Sequence, residues 1–537
     1  MALLSLVSYQ ERVNVLNGFV VLAPSLVILS LILAIFWLLA SYKQKLGYGP
    51  PAWPILGTLP EMLLAFPYLY DWATSYLEAS PTMTYISLAP GLNEVVTANP
   101  KNLEHILKTN FANYPKGPNF QTNFEDLLGH GIFNSDDDVW RQQRKTASLE
   151  FSNRSLRDLM MVSIQEELLQ RFIPTLAEAS VTRTPVDLQD ILLRYTFDNI
   201  CRIGFGVDPG CLEPGLPEVP FARAFDEATK ATLFRNLIPE FVWKAFRFLR
   251  LFQEGTLHSA VKTIDTFAEE VIRNRRVELA SEKKQYAIDG AVTDHSDILS
   301  SSVCICFGHR MMLLEKDDGG QLYSESFLRD VCTNFILAGR DTSSVLMTWL
   351  FWLLTWHPTV EKNILAEVQS IVAAREGDKS FGAFTYEELK QMKYVHAAIA
   401  EALRLYPSVP ADFKHVVKDD VLPDGTHVKS GWRVQYEIYA MGRMTRIWGP
   451  DARDFKPERW FDSNGELINE SPFKFPAFNA GPRLCLGRDL AYLQMKSIVA
   501  STVRFFRLAV APGHKVEYSM SLTLSMTNGL KVFVTPR

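Results

Sequence analysis

Cys485 lies in the run Phe478-Asn479-Ala480-Gly481-Pro482-Arg483-Leu484-Cys485-Leu486-Gly487. A helical pattern, Arg488 to Met495, follows at once. Backbone N–H groups and the helix dipole at such a start can stabilise a thiolate at position 485. The neighbours suit a thiolate that binds a flat, metal-bearing cofactor. Gly481 permits a tight turn, and Gly487 lets the backbone approach a planar group closely. Arg483 offers a planar donor fork to a carboxylate. Phe478 can shield the sulfur from water and so tune a metal bound to it. The chemistry this arrangement serves is axial ligation of haem iron, where a thiolate donates electron density and favours O–O cleavage. The plainer alternative, a buried structural cysteine beside a turn, must treat ten residues as accident.

A second group sits in the stretch 327–354. Phe327, Val331, Phe335, Ala338, Thr342 and Val345 recur at three- and four-residue spacing, a pattern that continues to Leu353. It predicts a long helix with one stripe turned inward. Ala338-Gly339 and Asp341-Thr342 interrupt the stripe. A glycine inside a helix costs about 1 kcal/mol relative to alanine. A buried acid and a buried alcohol cost more unless they find partners. Places where local rules fail together are often functional. A packing glycine beside a helix-surface aspartate is the bland alternative.

The elements that must position these groups read as mainly α (α+β). Helical patterns dominate to about residue 405, and short β patterns fall near 84–86, 95–97, 416–421, 428–436 and 522–534. That is a helix-rich fold with small peripheral sheets, not an alternating β–α array. The chain has 537 residues, 47% hydrophobic and 12% aromatic, which excludes disorder and low-complexity scaffolds. A net charge of −5 gives no basic excess for sequence-independent binding of nucleic acid. Six cysteines in so long a chain do not read as a disulfide framework. No internal repeat is evident, and residues 61–537 read as one catalytic domain.

The N-terminal segment, residues 1–46, holds an uncharged apolar run from Phe19 to Ala40. As a helix it would span about 33 Å, enough for a transmembrane anchor. Lys43 and Lys45 follow it and place the remainder in the cytosol. The run is longer than a signal-peptide core, and no small-residue cleavage site ends it. Pro50, Pro51, Pro54 and Pro60 make residues 47–60 a stiff hinge. The stretch 281–318 is polar at both ends and reads as a surface connection. Within it, Cys304, Cys306 and His309 supply three close ligands and no fourth, which does not make a zinc site.

The thiolate run fits F-x-x-G-x-R-x-C-x-G at every fixed position, and the chain here resembles the haem-thiolate monooxygenases (cytochromes P-450). Ala338-Gly339-Arg340-Asp341-Thr342-Ser343 is similar to that family's oxygen-activation segment. Glu401-Ala402-Leu403-Arg404 is similar to its E-x-x-R pair, and Pro457-Glu458-Arg459-Trp460 to the segment that completes that network. Trp140 and Arg144 resemble its W-x-x-x-R contacts to a haem propionate. These segments come in the family's order, and the resemblance covers residue 47 to the C-terminus. Stretches such as Asn113-Tyr114-Pro115-Lys116-Gly117 and Leu422-Pro423-Asp424-Gly425-Thr426 resemble plant fatty-acid ω-hydroxylases in particular.

The resemblance implies a haem cofactor, dioxygen as co-substrate and a fatty-acid-like apolar substrate. It implies cofactor-binding roles for Cys485, Arg483, Phe478, Gly487, Trp140 and Arg144, with Cys485 the metal ligand. Protons must reach the reacting oxygen, and Asp341 and Thr342 are the catalytic candidates. Gly339 and Ala338 would leave room for oxygen, and Thr342 would bond the Ala338 carbonyl and loosen the helix. Glu401, Arg404 and Arg459 are expected as a buried structural network. No G-x-G-x-x-G strand–helix unit is evident, so electrons come from NADPH through a flavoprotein reductase, as in the family. Lys145, Lys474 and Arg488 are candidates for its docking patch. The expected location is the endoplasmic reticulum membrane, single-pass, with membrane lipid around the anchor. Lys116 is a possible anchor for a substrate carboxylate, though a solvated loop lysine is the commoner case. His415 can reach a propionate or simply sit in a turn. The bulky Phe413 departs from the family's pattern and bears on regiochemistry. Two alternatives stay open: another apolar substrate (sterol, terpenoid, alkane), or a haem protein that does not oxygenate.

Overall fold

The computed structural model describes residues 35, 44–45, 47–151, 154–288, 324–375 and 382–537. Apart from residue 35, the expected membrane helix over residues 19–40 lies outside them, as does the Cys304–His309 segment. Among the described residues no helix is long and apolar enough to cross a membrane. No group of His, Cys, Asp and Glu there can hold a metal ion by itself.

The principal elements, in chain order, are β1 (Thr84–Ser87), β2 (Glu94–Thr97), α1 (Gly117–Leu128), α2 (Asp137–Phe151) and α3 (Arg154–Glu167). Next come α4 (Leu188–Phe205), α5 (Pro220–Arg235), α6 (Glu240–Leu249) and α7 (Gln253–Ile288). The central helix is α8 (Glu325–Ile336), a π-helical turn (Leu337–Asp341) and α9 (Thr342–Trp356). It is followed by α10 (Pro358–Ala373), α11 (Lys393–Leu405), β3 (Ala411–His415) and β4 (Arg433–Glu437). The chain closes with α12 (Arg488–Phe505), β5 (Phe506–Val510) and β6 (Lys531–Pro536). The expected helix-rich fold with small sheets is present. The predicted surface connection begins later than expected, because α7 runs on to Ile288.

The largest sheet has the order β1-β2-β4-β3, antiparallel except for the parallel pair β2–β4. That parallel pair joins strands far apart in sequence, Glu94 lying opposite Arg433, so this sheet was only partly readable from local β patterns. β3 in particular covers Ala411–His415, ahead of the predicted 416–421. The main core lies where α9, α10, α11 and α12 meet. Leu350, Phe351, Ile364, Ile399, Ala402 and Ile498 are all buried there. A second cluster, with Phe120, Phe124, Phe225, Ala228, Cys332 and Ile336, packs α1 and α5 against α8.

Local chemistry sets the helix ends. Asp187 caps α4 by accepting from Gln189 N–H at 3.1 Å, and Gly206 ends it with φ +70°. Ser324 caps α8 by accepting from Phe327 N–H at 3.2 Å. The hinge residues dock on the body: Thr58 N–H donates to the Leu88 carbonyl at 2.8 Å, and its hydroxyl meets Ser87 Oγ at 2.7 Å. A Cβ on Gly57 would lie 1.8 Å from the Leu88 oxygen, so glycine is required for that approach.

Candidate active site

Two 3-10 turns, Pro476–Phe478 and Gly481–Arg483, build the loop ahead of α12. Cys485 N–H donates to the Phe478 carbonyl at 2.9 Å and closes it. Gly481 has φ +63°, and a Cβ there would sit 2.0 Å from the Leu107 carbonyl oxygen. Gly487 is less constrained: a Cβ would meet Phe151 at 3.6 Å and the Cys485 sulfur at 4.0 Å. Burial pushes the Cys485 thiol up, while the Gly487 amide and the cations Arg144 and Arg488 pull it down. Yet Cys485 keeps an exposed surface. Phe478 packs on Tyr492 of α12, ring centroids 5.4 Å apart, on the loop's inner side.

Three expected cofactor residues converge beside this loop. Arg483 lies 4.5 Å over the ring of Trp140, from α2. It donates to the Ser135 carbonyl at 2.8 Å and to Asp136 Oδ1 at 2.7 Å. Its Nε and the Ser135 hydroxyl are buried and have no partner among the described residues. Buried donors of this kind are costly to leave unmade, and they are the right complement for a carboxylate at the rim of a flat cofactor. Arg144, one helical turn after Trp140, donates to the Leu484 carbonyl at 2.6 Å and feels the Cys485 sulfur. An exposed cysteine beside buried donors without partners and the cation Arg144 fits a haem with its propionates.

The central helix faces the same region. Phe151 reaches toward Gly487 on one side and stacks on Phe335 of α8 on the other, at 5.8 Å. One turn further along, Ala338, Gly339 and Thr342 are only half-buried, although the following Ser343, Ser344, Val345 and Leu346 are buried. Thr342 Oγ1 donates to the Ala338 carbonyl at 2.6 Å, within one residue of the π turn. The expected loosening of the helix is therefore a π bulge with a competing side-chain bond. Ser408 Oγ donates to the Thr342 carbonyl at 2.6 Å and fixes the chain after α11 to this point.

Gly339 corrects an expectation. A Cβ there would lie 2.5 Å from Ile200 Cγ1 of α4, so its missing side chain admits a neighbouring helix. It is a packing glycine. Asp341 is the reverse: it is buried, not on a helix surface, and takes a 2.8 Å hydrogen bond from Arg340 Nη1. Burial outweighs that cation and raises the Asp341 carboxyl to about 6.

Glu401, Arg404 and Arg459 form the expected network. Arg404 donates to both Glu401 oxygens, at 2.8 and 2.7 Å, with both side chains fully buried. Arg459 Nε and Trp460 Nε1 also donate to Glu401, at 3.3 and 2.9 Å. Lys116 is neither a solvated lysine nor a free anchor. It is buried, 2.8 Å from Asp412 Oδ1, and 4.0 Å over the Phe120 ring. Asp412 also accepts from Lys414 at 2.9 Å and from the Tyr436 hydroxyl at 2.7 Å, and these cations hold its carboxyl well below the usual range. His415 is in β3, not in a turn, and burial lowers its basicity. In the proposed docking patch Lys145 is exposed, while Lys474 pairs with Glu470 at 2.6 Å and Arg488 with Asp489 at 3.1 Å.

Sequence reasoning missed Phe151 and Asp226, and it took Asp412 and the loop that holds Ser135 and Asp136 only as candidate lining of a substrate channel. Asp136 opens the acidic run Asp136-Asp137-Asp138 and reads as a helix start, which hides its bonds to the Lys116 and Gly117 amides at 2.9 Å.

The model of the cytochrome P450 family matches residues 48–534. The chain belongs to that family. Cytochrome P450 86B1 of Arabidopsis thaliana is 46% identical over 517 residues, covering 94% of this chain and 89% of that one. Cytochrome P450 94A2 of Vicia sativa is 42% identical over 496 residues (91% of each chain), and cytochrome P450 704B1 of Arabidopsis thaliana 41% over 521 (92% and 96%). The crystal structure of the cytochrome P450DA heme domain superposes with a TM-score of 0.72 at 20% identity, covering 91% of this chain and 97% of that one. This P450 is a haem-dependent monooxygenase, using dioxygen and an external source of electrons on an apolar substrate.

Proposed function

We propose that this P450 hydroxylates fatty acids at the ω-carbon, with Cys485 as the axial ligand of its haem. A half-buried aromatic and aliphatic wall on the second core cluster carries the reading. Phe335, Leu337, Ile200 and Phe413 line the second cluster without being sealed into it, and Phe413 packs on Phe120 at 5.1 Å. Such a wall suits an alkyl chain. The identities of 40–46% to plant P450s numbered 86, 94 and 704 agree with the sequence likeness to plant fatty-acid hydroxylases.

Bound haem supplies the iron at which dioxygen is cleaved, one atom going to the substrate C–H bond and the other to water. The protein does the rest. Cys485 supplies the anionic ligand, and the Gly487 amide orients its sulfur. Arg483, Trp140 and Arg144 hold the carboxylates of the macrocycle. Phe478 keeps water from the sulfur. Thr342 would hold a proton at Oγ1 for the reacting oxygen, and the buried Asp341 would pass protons to it. The electrons arrive from NADPH through a flavoprotein reductase docked near Lys145. Residues 1–46 anchor the chain in the endoplasmic reticulum membrane, residues 47–60 form the joint, and residues 61–537 face the cytosol.

Membranes holding the protein, a reductase and NADPH, incubated with a fatty-acid panel, should yield ω-hydroxy acids. Turnover of a sterol or terpenoid with no oxidised fatty acid would overturn the substrate assignment. A Cys485→Ala protein that still bound haem in the same ligation state and still inserted oxygen would overturn the site.

A further inference from the structure

Arg340 Nη1 serves two acids. It lies 2.8 Å from Asp341 Oδ1 on the central helix and 2.8 Å from Asp226 Oδ1 on α5. The arginine side chain is 2% exposed, and its Nε has no partner among the described residues. Phe225 of α5 presents its ring to the same guanidinium, 5.8 Å away. Asp341 is buried and adjoins Thr342, whereas Asp226 is 46% exposed. One cation is thus divided between the acid beside the catalytic threonine and an acid on a helix that covers the central one.

We propose that Asp226 is a positioning residue for proton delivery: by taking half of Arg340 while α5 is seated, it keeps Asp341 able to carry a proton, and it ties that ability to the position of α5. The proposal rests on the reading of Asp341 as the proton carrier. Burial favours the neutral form of Asp341, Arg340 favours the ion, and Asp226 opposes Arg340. Were α5 to lift, Arg340 would turn wholly to Asp341 and hold it ionised, unable to donate. The other groups around Arg340 do not replace Asp226. Thr196 of α4 donates to the Arg340 carbonyl at 2.8 Å, and Ser344 of α9 donates to the same carbonyl at 2.7 Å. The Cys211 thiol feels Arg340 but is itself pushed up by burial and stays neutral.

Linkage makes the effect reciprocal. If Asp226 favours protonated Asp341, then protonated Asp341 favours seated α5, and the hold on α5 weakens as Asp341 ionises. Hydrogen–deuterium exchange of the α5 amides in the haem-loaded full chain, between pH 5 and 8, reads this without reference to turnover. Protection should fall several-fold as pH rises through the Asp341 transition. In Asp226→Asn and in Asp341→Asn that pH response should vanish. In Asp226→Asn the acid form of Asp341 is lost at lower pH. The profile of product formed per NADPH then moves down by about one pH unit, about tenfold in the protonated fraction, with KM unchanged. Asp226→Glu should restore both. Wild-type exchange and coupling profiles in Asp226→Asn would overturn the proposal while leaving Asp341 as proton carrier. Full coupling in Asp341→Asn would overturn the reading of Asp341 itself.

Discussion

The Thr342 hydroxyl donates a hydrogen bond to the Ala338 carbonyl at 2.6 Å, and rotation about its C–O bond would turn that one hydrogen to a bound oxygen instead. A group placed so can accept one proton bond and pass another, which a methyl cannot. Thr342→Ala should therefore retain haem, shown by an unchanged absorption spectrum, and lose most product per NADPH consumed, while Thr342→Ser keeps coupling. At Gly481 the constraint is steric. The φ is positive, and a Cβ would stand 2.0 Å from the Leu107 carbonyl oxygen, which leaves no room for a methyl. Gly481→Ala should fold with its loop displaced and incorporate far less haem, read as the ratio of haem to protein absorbance.

At the scale of elements, α11 and the 3-10 turn Pro457–Trp460 are joined through the fully buried Glu401–Arg404 pair. Glu401 receives two bonds from Arg404, one from Arg459 and one from Trp460. Removing it leaves a fully buried guanidinium without its anion, and breaking such a pair costs about 3–5 kcal/mol. Glu401→Ala should lower the unfolding free energy, read by chemical denaturation, by that amount or fail to accumulate, whereas a leucine pair at Glu401 and Arg404 should fare better than the single change. The E-x-x-R spacing showed in the sequence that an i,i+3 ion pair was possible. Its burial was expected from the family resemblance and not from the spacing, because the carbonyls that satisfy the guanidinium, those of Gly442, Ala452 and Asp454, come about forty to fifty residues later. The π turn was legible only as a place where helix rules fail.

For the whole molecule, pH should act through acids that folding buries. Glu167, at the end of α3, is fully buried with Asp198 close by, and its Oε1 has no partner among the described residues. Burial, followed by repulsion from Asp198, raises its carboxyl to about 8, although Arg202 and Arg171 oppose this. A raised acid binds a proton in the folded chain that the unfolded chain has released. Its stabilisation is therefore complete below about 4.5 and drains away up to about 8, with a limiting slope of about 1.4 kcal/mol per pH unit. Thermal unfolding temperature should fall between pH 5 and 8, and Glu167→Gln should flatten that fall. A wild-type curve in the variant would count against the assignment.

The sequence by itself determined the family, the sulfur at position 485 and the order of the segments around it, because each is a local pattern with a local physical reason: a helix start, a tight turn, a fork of donors. It also determined that Asp341 and Thr342 sit awkwardly in a helix. Only the tertiary structure decided what those residues touch. Lys116 went to Asp412 across about three hundred residues of chain, Gly339 to Ile200, and Arg340 to an acid on α5. The reason is that a buried charge takes the nearest counter-charge that packing supplies, and packing brings together residues whose separation along the chain carries no trace of it.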